Sequence, residues 1–311
     1  MSKLSRRRFL TIAAATSALG VWPLDSFALS GPTRYWVGTA VGARASIRLS
    51  HPNAAHIIEL VRAEIERLEQ TFSLYRTTSE LSRLNRDGQL LQPSFEMVEL
   101  LSLCTSIHAA TAGFFDPTIQ SIWATYAEHY ASGRIPDGAA INAARQRVGW
   151  SKVSISPERI ALHEPGMALT LNGIAQGFIA DKVARLLRDK GFDSILIDTG
   201  EFYALGRMPD GGEWPVELQS EQTNQPFRRV SLADAALASS APLGTVFDSA
   251  GLVGHIIDPK SGRTAEPTIP LVTVRAPTAA RADALSTAMC LMTADDIKKL
   301  AAMNSDISVF I

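Results

Sequence analysis

Apolar residues recur along this chain at two spacings, and the two do not alternate regularly. After Asn53, Ile57, Val61, Ile65 and Leu68 fall on one helical face. Ser94 is placed to cap a second helix carrying Met97, Leu101, Cys104 and Ile107 beside His108, and Gly113 ends it. A third helix is expected over about 175 to 190, with Ile179, Val183, Leu186 and Leu187 in its stripe and Gly191 behind it. Two more close the chain, over about 282 to 292 and 293 to 303. The last opens on Thr293-x-x-Asp296, a capping box with Asp for the usual Glu or Gln.

Strand patterns fall between these helices. Residues 36–49 alternate loosely as opening strands, and 153–155, 160–162 and 167–171 are short apolar pieces. Residues 194–198 read as a buried strand, followed by 214–219, 228–232, 271–275 and 306–311. The stretch 130–165 is otherwise rich in Gly, Pro, Ser and charge. Helices and strands mix without strict alternation, which predicts an α+β fold rather than a doubly wound parallel sheet. No linker forces a split, so a single domain of mixed sheets and packed helices is expected.

The N-terminus changes the picture. Ser5-Arg6-Arg7-Arg8-Phe9-Leu10 precedes an apolar, Ala-rich run from Thr11 to Val21, and Ser26-Phe27-Ala28 offers small residues for cleavage. Paired arginines before Phe-Leu predict a Tat export signal over residues 1–28, a mature domain over 29–311 and work in the periplasm. The apolar run is too short and Ala-rich to span a bilayer well. Apolar content of 46% supports a real core, and a net charge of −1 gives no basic surface for nucleic acid. Cys104 and Cys290, the only cysteines, sit in apolar helical patterns and read as buried, unpaired hydrophobes.

Five stretches carry residues with chemical use. Leu171-Asn172-Gly173-Ile174-Ala175-Gln176-Gly177 leads into a helix start, where free N–H groups favour anions and glycines let a phosphate approach the backbone. It is neither a Walker loop nor a dinucleotide fingerprint, and a purely structural turn has the same look. Asp283 and Thr287 are four apart, share a helical face and present hard oxygens suited to Mg2+. For the pair taken alone, an N-cap role for Asp283 with Thr287 bonded back to a carbonyl is the favoured reading. His255 precedes the turn Asp258-Pro259-Lys260-Ser261-Gly262; it is suited to moving a proton near neutral pH, or to tying down the loop. Thr71 to Asn85 mixes aromatic, hydroxyl and basic groups, with Tyr75 suited to stacking on a flat ring or to the core. Gly113-Phe114-Phe115-Asp116-Pro117-Thr118-Ile119 places aromatics and an acid after a helix end.

In order and spacing these pieces resemble the ApbE family of FAD:protein FMN transferases, across nearly the whole mature chain. That family carries Met-Gly-Thr, Ser-x-Tyr…Ser-Glu-Leu-Ser-x-Leu-Asn, Gly-x-Phe-Asp-Pro-Thr, Gly-Gly-Ile-Ala-Lys-Gly-Tyr, His-Ile-Ile-Asp-Pro-x-x-Gly and Asp-Ala-Leu-x-Thr. The counterparts here are Val37-Gly38-Thr39, Ser73 to Asn85, Gly113 to Thr118, Asn172 to Phe178, His255 to Gly262 and Asp283 to Thr287. The resemblance implies a single α+β unit that binds FAD and Mg2+. It implies transfer of FMN to a Thr or Ser hydroxyl of an acceptor protein, with release of AMP. By the same resemblance Mg2+ is held by the Gly173 carbonyl, Asp283 and Thr287. Val37, Tyr75, Phe114, Phe115, Asp116, Gln176 and Ile256 line the FAD site, and Asp181 matches a family acid four residues after the turn's last glycine. Asp283 and His255 are the expected catalytic pair, His255 relieving the acceptor hydroxyl of its proton.

The sequence departs from the family pattern at several of these positions. Asn172 replaces Gly, Gln176 replaces Lys, Phe178 replaces Tyr and Val37 replaces Met. Ser239-Ser240-Ala241 stands for Thr-Ser-Gly, and Thr199-Gly200-Glu201 for Gly-Gly-Glu/Asp. Losing the lysine removes a positive charge near the FAD. Two other readings share these residues, an FAD pyrophosphatase giving FMN and AMP, and a non-catalytic flavin carrier. The Tat-type leader without a lipidation cysteine resembles the NosX-type members, whose acceptor is a membrane electron-transfer partner.

Overall fold

The structure is a computed structural model that describes residues 21–23, 33–40, 43–50, 53–219 and 226–311. Its centre is a seven-stranded sheet in the order β13 (Ser308–Phe310), β12 (Val272–Ala276), β11 (Ala235–Ser240), β8 (Phe202–Gly206), β7 (Ser194–Asp198), β3 (Ala43–Ser50) and β2 (Thr33–Ala40). Strand pairs among the described residues are antiparallel throughout.

Alternation along the central strands buries both faces of the sheet. Ile195, Ile197, Tyr203, Leu205, Ala236 and Ala238 join one core with the helices α1 (Ala54–Phe72), α6 (Ala175–Asp189) and α7 (Ala279–Met289). Leu196, Phe202, Ala204 and Leu237 join a second core with Val216, Leu218, Val230 and Leu232. Those partners come from a smaller sheet of β1 (Val21–Pro23), β9 (Trp214–Gln219) and β10 (Pro226–Leu232). β1 falls within the expected leader, most of which lies outside the described residues. No helix among the described residues is long and apolar enough to cross a membrane.

Further helices and a third sheet complete the described fold. They are α2 (Glu80–Asp87), α3 (Phe95–Ala110), α4 (Gln120–Ala131), α5 (Gly138–Arg145) and α8 (Ala294–Ala302), with a third sheet of β4 (Gln89–Leu91), β6 (Arg159–Leu162) and β5 (Val153–Ile155). Ser79, Ser94 and Thr293 cap α2, α3 and α8 by accepting from the N–H groups of Ser82, Met97 and Asp296. α4 and α5 replace the irregular stretch expected around residue 130. α4 buries Ile122 and Tyr126 against Phe247 and Ile257, so aromatic packing rather than an aliphatic stripe holds it.

Two expectations near the site are corrected. Residues 167–171 form no strand. Instead the Asn85 side chain grips Leu169 as a neighbouring strand would, accepting from its N–H at 2.7 Å and donating to its carbonyl at 2.8 Å. The penultimate helix, α7, begins three residues early, because Thr278 is its cap. The Asp181 carboxylate also accepts from the N–H groups of Ala279 and Ala280, at 2.7 and 2.9 Å. Both cysteines are buried and free, and burial pushes each thiol pKa up.

Candidate functional site

The site starts from the contact between α6 and α7. A methyl group on Gly177 would lie 2.3 Å from the Ala279 carbonyl oxygen, so only glycine lets the two backbones approach this closely. The approach brings the Gly177 N–H within 3.3 Å of Asp283 Oδ2. Asp283 is therefore no helix cap; it sits inside α7, which Thr278 starts. One turn on, Thr287 lies against the glycine turn, since a side chain at Gly173 would meet its Oγ1 at 3.1 Å. Asp283, Thr287 and Gly173 thus meet at one corner of a cavity.

This corner gathers buried acid. Asp283 is 4% exposed, and burial raises its pKa to about 7, helped by the negative charge of Asp181 and opposed by the Gly177 N–H. Glu201 is also buried and lines the same cavity. Burial and repulsion from Asp283 and Asp198 push its pKa well up, against a hydrogen bond from the Ser239 N–H. Among the described residues there is no cluster of three His, Cys, Asp or Glu side chains that could hold a metal. A metal here would need the carbonyl and hydroxyl beside the acid, and these hard oxygens fit Mg2+.

The opposite wall is made of loops. Beyond α3, Phe114, Phe115 and Asp116 line the cavity. His108 Nδ1 donates to the Phe115 carbonyl at 2.9 Å, and the Phe115 N–H reaches Thr111 Oγ1 at 3.1 Å. Asp116 Oδ1 accepts from both the N–H and the hydroxyl of Thr118, at 2.9 and 2.6 Å. Burial raises the Asp116 pKa, and those bonds oppose it. Lys260 Nζ lies 4.0 Å from the centroid of the Phe114 ring, a cation beside the cavity lining where Gln176 supplies none.

His255 and Ile256 complete this wall. The backbone N–H of His255 and its Nδ1 each lie 3.0 Å from the Thr245 carbonyl oxygen. A carbonyl only accepts, so Nδ1 carries the hydrogen and Nε2 is the basic nitrogen. Burial lowers the ring's pKa to about 4, which keeps it neutral at ordinary pH. A bridge between Val246 and Gly254 closes the loop that carries the histidine.

The cavity therefore gathers His255, Asp283, Gly173, Thr287, Phe114, Phe115, Asp116, Gln176 and Ile256. It does not gather Asp181, whose carboxylate is committed to the start of α7. Tyr75 stands one residue back, hydrogen-bonded to Asn172, which does line the cavity. Val37 lies on β2 opposite Ser46, and its side chain is outside the described residues. Sequence reading missed Glu201 and Thr245 as site residues. The acid was visible in Thr199-Gly200-Glu201, but Thr245 acts through its carbonyl, which any residue carries.

Comparison with known proteins gives a consistent result. Residues 38–311 match the model of the ApbE family. The FAD:protein FMN transferase of Escherichia coli strain K12 is 26% identical over 272 residues, covering 83% of this chain and 77% of that protein. That of Vibrio cholerae serotype O1 is 26% identical over 283 residues, covering 87% and 82%. Among solved structures, the apo flavinyl transferase ApbE of Pseudomonas stutzeri superposes with a TM-score of 0.79 at 26% identity, over 91% of this chain and 92% of that one. The ApbE protein of Thermotoga maritima gives a TM-score of 0.81 at 23% identity, over 89% and 93%, a likeness of fold.

Proposed function

The chain belongs to the ApbE family, and from that premise we propose that it is an FAD:protein FMN transferase. It moves FMN from FAD to a threonine or serine hydroxyl of an acceptor protein, depends on Mg2+ and releases AMP. The observation that carries this reading is the meeting of Asp283, Thr287 and Gly173 at one corner of a cavity whose other wall bears His255.

In the proposed reaction the acceptor oxygen bonds to the phosphorus of the FMN half. The bond from that phosphorus to the bridging oxygen breaks, and the bridging oxygen leaves with AMP. His255 takes the proton of the acceptor hydroxyl at Nε2, while the Thr245 carbonyl holds the ring by its Nδ1–H. Phe114, Phe115 and Ile256 offer the flavin an apolar surface. Mg2+ bound by Asp283, Thr287 and the Gly173 carbonyl would offset the charge on the phosphate oxygens. The α6–α7 contact would hold those ligands in place for substrate, and positioning supplies much of the catalysis in phosphoryl transfer.

The test is to incubate the protein with FAD, Mg2+ and an acceptor domain and to weigh the acceptor. A gain of one FMN unit with AMP in solution is expected. AMP without the mass gain would make the protein a pyrophosphatase, and bound flavin without AMP a carrier.

We further propose that residues 1–28 are a Tat leader and that residues 29–311 act in the periplasm, on an exported acceptor such as a membrane electron-transfer subunit. The family match begins at residue 38, beyond the proposed leader. Replacing Arg6 and Arg7 together by Lys should keep the protein in the cytoplasmic fraction, and unchanged export would remove the assignment.

A further inference from the structure

A row of hydroxyl groups runs from the cavity into the core behind Asp283. Thr287 Oγ1 is 3.3 Å from Ser240 Oγ, Ser240 Oγ is 2.7 Å from Ser286 Oγ, and Ser286 Oγ is 2.9 Å from the Asp283 carbonyl oxygen. The row joins the end of β11 to α7. Ser286 is fully buried, and Thr287 and Ser240 both line the cavity. The neighbouring Ser239 takes no part, because its hydroxyl pairs with Thr273 Oγ1 at 2.8 Å.

The last member sets the direction of the row. A carbonyl oxygen only accepts, so Ser286 spends its single proton on the Asp283 carbonyl. Ser286 therefore accepts from Ser240. Ser240, with its proton spent, accepts from Thr287. The Thr287 proton is then turned toward Ser240, and its lone pairs are left for a cation. The Ser240 backbone is itself anchored, since Cys290 Sγ donates to its carbonyl at 3.4 Å.

We propose that Ser240 is a positioning residue that holds Thr287 as a lone-pair donor to the cation, with Ser286 fixing the polarity of the row. The inference rests on the Mg2+ reading above and adds two residues to it that touch no metal themselves. Without Ser240 the Thr287 hydroxyl rotates and turns its proton toward the cation. Without Ser286 the Ser240 proton is released, and Ser240 donates to Thr287 instead of accepting from it.

The experiment is titration calorimetry with Mg2+ alone on the wild type and on Asp283→Asn, Ser240→Ala, Ser240→Thr and Ser286→Ala. Ser240→Ala and Ser286→Ala are expected to weaken Mg2+ binding about 10- to 100-fold, as loss of a group that orients a metal ligand does. Their unfolding midpoints in chelator should stay near the wild-type value. Ser240→Thr, which keeps the hydroxyl, is expected to restore binding. Wild-type affinity in both alanine variants, with none in Asp283→Asn, overturns the role of the row and leaves the metal reading standing. Failure of Ser240→Thr to restore binding would assign the loss to packing and overturn it as well. A wild type that binds no Mg2+ removes the metal reading and this inference with it.

Discussion

The glycine corner and the histidine wall face the same cavity but are built differently. The corner is helix against helix, with Gly177 setting the distance and Asp283 and Thr287 one turn apart on α7. The wall is made of loops, one held from the last turn of α3 where His108 bonds to the Phe115 carbonyl, the other held where His255 bonds to the Thr245 carbonyl. The corner pairs the buried acids Asp283 and Glu201, and the wall carries a neutral base and apolar rings beside the single buried acid Asp116. A site that must bind charged phosphates beside a flat ring needs both surfaces. Here the metal-facing residues Asp283 and Thr287 sit on a helix, and His255 sits in a loop.

The sharpest way to break this division of labour is Asp283→Ala. It should cut FMN transfer by about 10³-fold or more and erase the response to Mg2+, read as acceptor mass over time. A mutant that stays active and metal-dependent would take Asp283 out of the corner's chemistry. His255→Ala tests the other wall, with transfer expected to slow about 10²-fold or more while FAD binding, followed by flavin fluorescence, is largely kept. Unchanged transfer would leave the wall a binding surface only.

The third test is structural. Gly177→Ala drives a methyl group into the Ala279 backbone, and urea unfolding should register a loss of about 2–3 kcal/mol. A neutral result would mean that the corner is not set by that contact.

The smallest effect separates the walls by their titration. Asp283 and Asp181 have pKa values raised to about 7, so each contributes stability that is full below the usual carboxylate range and is lost as pH rises through about 7. His255, lowered to about 4, contributes stability that is present above its ordinary value and is lost as pH falls through about 4. Metal-free protein should therefore lose stability on the order of 1 kcal/mol per pH unit between pH 5 and 7. Mg2+ should flatten that limb in the wild type, and in Asp181→Asn as well, but not in Asp283→Asn. Denaturation series with chelator and with Mg2+ would show it, and a slope untouched by Mg2+ would disconnect the acid from the metal.

The contrast between the walls also explains what the sequence disclosed. The i, i+4 spacing put Asp283 and Thr287 on one helical face, but spacing and the glycine turn alone left a structural role open, and it was the family resemblance that joined them to Gly173 at the corner. The α+β class was legible from irregular alternation, and most helices from their stripes and caps. β8 and β11 were not, although they sit in the middle of the main sheet. β11 is Ala-Ala-Leu-Ala-Ser-Ser, weak strand formers placed by neighbours on both sides. α4 was hidden because residues far along the chain, Phe247 and Ile257, hold it. The seating of His255 by Thr245 left no trace, since a backbone carbonyl has no residue code. Asp181 shows the converse case. Its place in a family pattern suggested a ligand contact, and the structure gives it to the first turn of α7 instead.

The two sealed thiols have a consequence for how the molecule matures. Cys104 and Cys290 are each enclosed, and each is held in its protonated form. No covalent crosslink has to form for the core that holds both to close. The chain can finish folding in reducing surroundings, and an oxidant met later finds no accessible sulfhydryl to attack.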